Sequence, residues 1–195
     1  MNRLKKSRME NEEEEENVIV NMIDNHIYFY TDVDVESIRQ LVTAIHVLNN
    51  TLKIQMVQFD TKPVIYLHIN SNGGCVFSGL AGMDAITNSS IPVVTIIEGC
   101  AASAATLLSV VGKKRLMTRH SHTLLHQLSS EVWGTMSQIT DEMRNLKHLM
   151  RMVKRIYHKH TLIKKPKLQR VLKQDIWFSS KKSLKLGIVD EIIGD

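Results

Sequence analysis

The chain has 195 residues, of which 43% are apolar and only 5% aromatic, with a formal charge of +5 and two cysteines. That length supports one domain whose core rests on Ile, Leu, Val, Ala and Met rather than on rings. Two cysteines without a pairing pattern exclude a disulfide framework and favour a reducing, cytoplasmic compartment, and no apolar run reaches the ~18 residues of a membrane span.

Residues 1–17 set Arg3, Lys5, Lys6 and Arg8 against Glu10 and Glu12 through Glu16. No apolar stretch follows the basic residues, so a secretory leader is not expected. The glutamate run predicts a disordered charged tail over 1–17 and a folded domain over 18–195. Asn25 to Tyr30 reads as a strand of β-formers. Asp34 is a candidate helix cap, followed at helical spacing by Ile38, Leu41, Val42, Ile45 and Leu48. Pro63 opens a mostly apolar strand, Val64 to Ile69, expected to be buried on both faces. Asn70 to Gly74 is a turn cluster, and Val76 to Ile86 fits a short helix.

Pro92 opens a second buried strand, Val93 to Ile97, which Gly99 is expected to break. Ala101 to Val111 reads as a small-residue helix. Leu116-Met117 and Thr123 to Leu125 look like short strands. Met136, Ile139, Met143, Leu146, Met150, Val153 and Tyr157 then recur at steps of three and four, the mark of a long amphipathic helix. Pro166 is expected to end that region, with short helices over Lys167 to Gln174 and Ser180 to Leu186, a closing Gly187, and a last strand over Ile188 to Ile193. Alternating apolar strands and helices define an α/β domain with a largely parallel sheet. Sites in such sheets lie beyond the carboxyl ends of the strands, where Gly73-Gly74 and Gly99 fall.

Arg144 to Lys173 holds eleven Lys and Arg residues and no carboxylate. A nucleic-acid or anionic-surface patch is one reading. The absence of aromatic interleaving points instead to a solvated helix face.

Several residues could carry chemistry. Ser103 follows a strand and a glycine, at the expected start of a helix whose free N–H groups could hold an oxyanion; the plain alternative is a helix-capping serine. Gly73-Gly74 permits close backbone approach to a ligand, or is an ordinary turn. His126 ends a short apolar strand from which a base could reach Ser103, although nine histidines compete for that role. His120, His122 and His126 also suggest a metal site, but no Cys or acidic residue completes the cluster. Asp175 precedes Ile176-Trp177-Phe178, whose aromatic pair is expected to keep water from a buried carboxylate that orients His126; otherwise it is a surface aspartate. Cys75 and Cys100 could be nucleophiles, but small buried residues are the expected role.

Taken in order, these segments resemble one family, the proteolytic subunit of Clp protease. Ile65 to Gly74 resembles its IYLYINSPGG segment, Gly99 to Ala105 its GQAASMGA, and Leu125-His126-Gln127 its MIHQP. Asp175 to Ser179 resembles DRFLS, and Gly187 to Ile192 the closing GLVDSI. The resemblance runs from about His26 to Ile193. It implies a repeated ββα superhelix, shared with crotonases, with a protruding handle formed by the helix from Met136 and the Glu131 to Gly134 segment. It also implies an ATP-dependent serine endopeptidase with Ser103 as nucleophile, His126 as base and Asp175 as orienting acid. The backbone N–H groups of Gly74 and Ala104 would form the oxyanion hole. No cofactor or metal is implied for peptide hydrolysis. The implied partners are further copies in stacked heptameric rings, a separate Clp-type unfoldase that uses ATP, and unfolded polypeptide substrates, with no membrane and no nucleic acid. Departures from the pattern are Asn72 and Leu128 for Pro, Cys100 for Gln, and Ala104-Ala105 for Met-Gly. They leave a second reading, a catalytically weak or inactive structural subunit of a mixed ring. An acyl-CoA enzyme of the crotonase type and a Ser–Lys signal-peptide peptidase fit the spacing less well.

Overall fold

The computed structural model describes residues 18–194, so the tail expected over 1–17 lies outside the described residues. Strand β1 (Val20–Ile23) pairs antiparallel with β2 (His26–Phe29); β1 has no counterpart in the sequence reading, because only its first residue is buried. Helix α1 (Val35–Phe59) starts where expected. Asp34 accepts from Ser37 N at 2.7 Å, and Ser37 Oγ answers Asp34 N at 3.0 Å, a reciprocal cap. Strand β3 (Ile65–Ser71) and helix α2 (Val76–Thr87) follow.

Strand β4 (Val93–Ala102) differs from expectation. Gly99 does not end it. At φ 78° the glycine redirects the strand, a conformation that costs glycine little and other residues more. Residues 94–97 pair with β5 (Lys114–Thr118), whereas residues 100–102 pair with β6 (His122–Leu124). Ala101 and Ala102, expected in a helix, therefore belong to the strand, and helix α3 is only Ala105–Ser109.

Helix α4 (Met136–His160) has a reciprocal cap at Thr135 and Gln138 and buries only Val153 and Tyr157, in its second half. Its first turns stand clear of the core, as the handle expectation requires. Pro166 does not close this region. It sits in the first turn of α5 (Lys165–Val171), where its missing N–H costs nothing. Strand β7 (Trp177–Ser179), also unforeseen, pairs antiparallel with β6. Helix α6 (Ser180–Lys185) and strand β8 (Glu191–Ile193) complete the chain. The last strand is shorter than expected: Ile188 and Val189 are buried but lie ahead of it, and Asp190 N donates to Arg115 O at 2.7 Å just before it begins.

The main sheet runs β1-β2-β3-β4-β5-β8, parallel from β2 onward, and β6 and β7 branch from the far end of β4. It is a mixed α/β fold. Ile27, Phe29, Ile65, Leu67, Ile69 and Ile97 form the centre of its core. No helix among the described residues is long and apolar enough to cross a membrane.

Two polar clamps tie distant elements of the fold together. Tyr157, on α4, is buried, and its hydroxyl lies 2.6 Å from Thr106 Oγ1 on α3. Burial pushes the phenol up to about 12. Tyr157→Phe, which leaves Thr106 without that partner, is expected to cost about 1–2 kcal/mol, measured by urea denaturation. Arg115 donates from Nε to Asp190 Oδ2 at 2.9 Å and from Nη1 to Gly187 O at 2.8 Å. Hydrogen bonding to that guanidinium holds the Asp190 carboxyl below its ordinary value. A carboxyl whose pKa is lower in the folded state stabilises the fold above its unfolded value and loses that contribution as pH falls through the folded one. The stability difference between wild type and Asp190→Asn is therefore expected to be present at pH 7 and to shrink in acid below pH 4, read from denaturant midpoints across pH.

Candidate active site

Ser103 stands at the turn between β4 and α3, with φ 51°. A side chain in this left-handed region costs on the order of 1 kcal/mol, so the turn needs anchors. Ser103 N donates to Leu124 O at 2.9 Å, and Ser103 O accepts from Thr106 N at 3.0 Å and from Thr106 Oγ1 at 2.6 Å. The helix-capping position is filled by Ala104, not Ser103. The Ser103 hydroxyl is engaged elsewhere.

Its partner is His126, whose Nε2 lies 2.8 Å from Ser103 Oγ. His126 lies two residues beyond β6, after the fully buried Leu125. On its other side Nδ1 lies 2.8 Å from Asp175 Oδ1. Strand register explains that meeting. β6 and β7 run antiparallel with Leu124 opposite Trp177; continuing two residues brings His126 opposite Asp175. A carboxylate only accepts, so Nδ1 carries the proton and Nε2 presents its lone pair to the serine hydroxyl.

The expected burial of Asp175 is not found. Its side chain is 79% exposed, against 28% for His126, and Ile176 and Trp177 are themselves about half exposed. The aromatic pair flanks the carboxylate in sequence but does not enclose it, because β7 turns only Phe178 toward the core.

Gly73 and Gly74 have φ 99° and 141°. A Cβ on Gly73 would sit 2.7 Å from Ser103 Cβ and 3.0 Å from Ala104 N, so only glycine lets this turn close on the serine. Val33 N donates to Gly73 O and Cys75 N to Val33 O, each at 2.7 Å. These bonds bracket the Gly74 N–H. Neither it nor the Ala104 N–H has a backbone partner among the described residues.

The remaining candidates fall away from this arrangement. His120 and His122 are exposed, and among the described residues no group of three or more His, Cys, Asp or Glu could hold a metal. Cys75 is exposed rather than buried, and Cys100 is half-buried. Hydrogen bonds from Ser78 hold the Cys75 thiol below its ordinary pKa, while burial raises that of Cys100. Cys100 Sγ faces only Asn70, Ser71 and Asn72 oxygens at 3.6–3.7 Å, with no base beside it.

A cleft of about 250 Å³ opens beside Ser103 and His126. One face of α4 forms its wall through Glu142, Leu146, Leu149 and Val153, and Leu107 and Tyr157 line it as well. The sequence reading placed Leu146 and Val153 on the apolar stripe but missed Glu142 and Leu149. Their three- and four-residue spacing from Leu146 was the available signal, obscured by the charge on Glu142.

A hydroxyl on an imidazole, that imidazole on a carboxylate, and two open N–H groups beside the hydroxyl can perform nucleophilic acyl transfer. The Clp protease family model matches residues 10–195. An ATP-dependent Clp protease proteolytic subunit of Deinococcus radiodurans is 31% identical over 74% of this chain and 73% of its own. Proteins of the same name from Bigelowiella natans and Pleurastrum terricola are each 30% identical, over 87% and 84% of this chain and 84% and 81% of theirs. Matched along nearly its whole length, this chain belongs to the Clp protease family, a family of serine peptidases.

Proposed function

We propose that this chain is the proteolytic subunit of an ATP-dependent Clp-type protease and cleaves peptide bonds through Ser103, His126 and Asp175. The observation that carries the reading is the unbroken relay of 2.8 Å contacts from Ser103 Oγ through His126 to Asp175. Ser103 Oγ attacks the scissile carbonyl as His126 Nε2 takes its proton. The Gly74 and Ala104 N–H groups receive the oxyanion. His126 then passes the proton to the leaving amine, and a water repeats the sequence to release the acyl group. Asp175 holds the imidazole tautomer and offsets the charge of the imidazolium. The hydrolysis itself uses no metal or organic cofactor.

The same reading makes the working form a homo-oligomer of stacked heptameric rings, with unfolded polypeptides delivered to its chamber by a separate Clp-type unfoldase that consumes ATP. Large apolar side chains exposed on the protomer support a need for neighbours: Val35, Val47, Ile54, Val57 and Phe59 along or at the start of α1, and a wholly exposed Trp133 before α4.

A fluorophosphonate probe is expected to label wild-type protein at Ser103, mapped by mass spectrometry, and not Ser103→Ala. Peptidase activity is expected to fall by at least about 10³-fold in Ser103→Ala and by about 10²–10⁴-fold in Asp175→Asn, which keeps the geometry but loses the tautomer control. Assembled rings that neither label at Ser103 nor cleave a short peptide would overturn the reading in favour of a non-catalytic ring subunit. The left-handed backbone at Ser103 adds a stability test. Ser103→Gly is expected to be more stable than Ser103→Ala by about 0.5–1 kcal/mol, because only glycine adopts that φ freely, as measured by chemical denaturation.

A further inference from the structure

Glu142 is half-buried on the α4 wall of the cleft. Ser130 Oγ, itself exposed, donates to its Oε1 at 2.7 Å, which draws the carboxylate toward the segment that follows His126. Its Oε2 has no hydrogen-bond or ion-pair partner among the described residues. No Lys or Arg lines the cleft. The nearest arginine along the helix, Arg144, is exposed and bonded to Asp141 at 3.2 Å. From Glu142 the helix continues along the same wall with Leu146, Leu149 and Val153. The wall is thus an apolar strip with a half-satisfied carboxylate at one end.

We propose that Glu142 makes this cleft select peptides with a lysine or arginine side chain at one position near the cleaved bond. The inference rests on the reading of the cleft as the peptidase site. A lysine or arginine matches both halves of the wall. Its methylene stem packs along apolar side chains while its charged head reaches a carboxylate. The free Oε2 offers that head a charge-assisted hydrogen bond, which is stronger than a neutral one. An apolar substrate side chain of the same length gains the packing but leaves Oε2 desolvated and unpaired, so it is disfavoured. An acidic side chain meets like charge in a site partly screened from water.

The test is a positional scan of internally quenched peptides carrying lysine, arginine, norleucine, glutamine or glutamate at one position at a time. Wild type is expected to favour lysine or arginine over norleucine by roughly tenfold in kcat/KM at one position, in line with a hydrogen bond to a charged group. The advantage is expected to shrink as salt rises. It should fall to near parity in the isosteric Glu142→Gln and turn toward glutamate in Glu142→Lys. A flat profile in wild type, or a preference unchanged in Glu142→Gln, overturns the proposal. Fluorescence anisotropy of lysine- and norleucine-containing peptides on Ser103→Ala decides the same question without turnover. Equal affinities there overturn it, and a lysine preference lost in Ser103→Ala/Glu142→Gln supports it. Failure of Ser103 to label in wild type would instead remove the peptidase reading alone.

Discussion

The site depends on the change of partner that β4 makes at Gly99. A parallel strand that ended there would leave Ser103 in a loop above the sheet. Because the backbone passes through a positive φ instead, the strand continues and meets β6. β6 then supplies Leu124 O to anchor the Ser103 turn and, two residues on, supplies His126. β7 pairs with β6 and brings Asp175 up opposite His126. One short branch of sheet therefore orders all three side chains through backbone hydrogen bonds, which fix spacing better than loops do. No side chain fits easily at Gly99, since a Cβ would lie 2.7 Å from Asn70 Oδ1. That asparagine is itself bonded to Cys100 N at 3.2 Å.

Local pattern made much of this legible. Helix α1 begins at the expected cap because Asp34 and Ser37 satisfy each other whatever lies beyond. β3, α2 and α4 also follow from periodicity. The misreadings within β4 share a cause: a residue type was given its usual local meaning where tertiary pairing overruled it. Gly99 looked like a break and is a bend inside a strand. Ala101 and Ala102 have high helix propensity and sit in β4, held there by backbone pairing with β3 and β6 and fully buried. Pro166 looked like a terminator and starts a helix. β7 is three residues long, and no period can be read from three residues.

The candidate site was readable in kind and not in environment. Ser103, His126 and Asp175 were identified from separated segments in family order, and the structure brings those residues together. Their surroundings depend on which faces the strands turn inward, and that was misjudged for Asp175 and for Cys75. An aromatic pair following an aspartate says nothing about enclosure until the pairing of β7 is known, and that pairing leaves Trp177 outside.

The exposure of Asp175 bears on how the relay gains its strength. An aspartate 79% open to solvent can still set the imidazole tautomer, because that is a matter of hydrogen-bond direction. Its attraction for a developing imidazolium is reduced, since water screens a pair of charges many-fold more than a protein interior does. Alignment and electrostatic strength are thus separable here. The protomer supplies the first through the β6–β7 register. The second increases with whatever displaces water from Asp175 and His126, whether a bound polypeptide or a neighbouring subunit of the ring proposed above. The apolar surface of α1 and the nearly bare first turns of α4 have the same character. They are placed by the chain's own fold and, on the ring reading, left for neighbouring subunits to cover. A chain of this design is expected to hold its reacting atoms in line when isolated and to reach full activity only when enclosed.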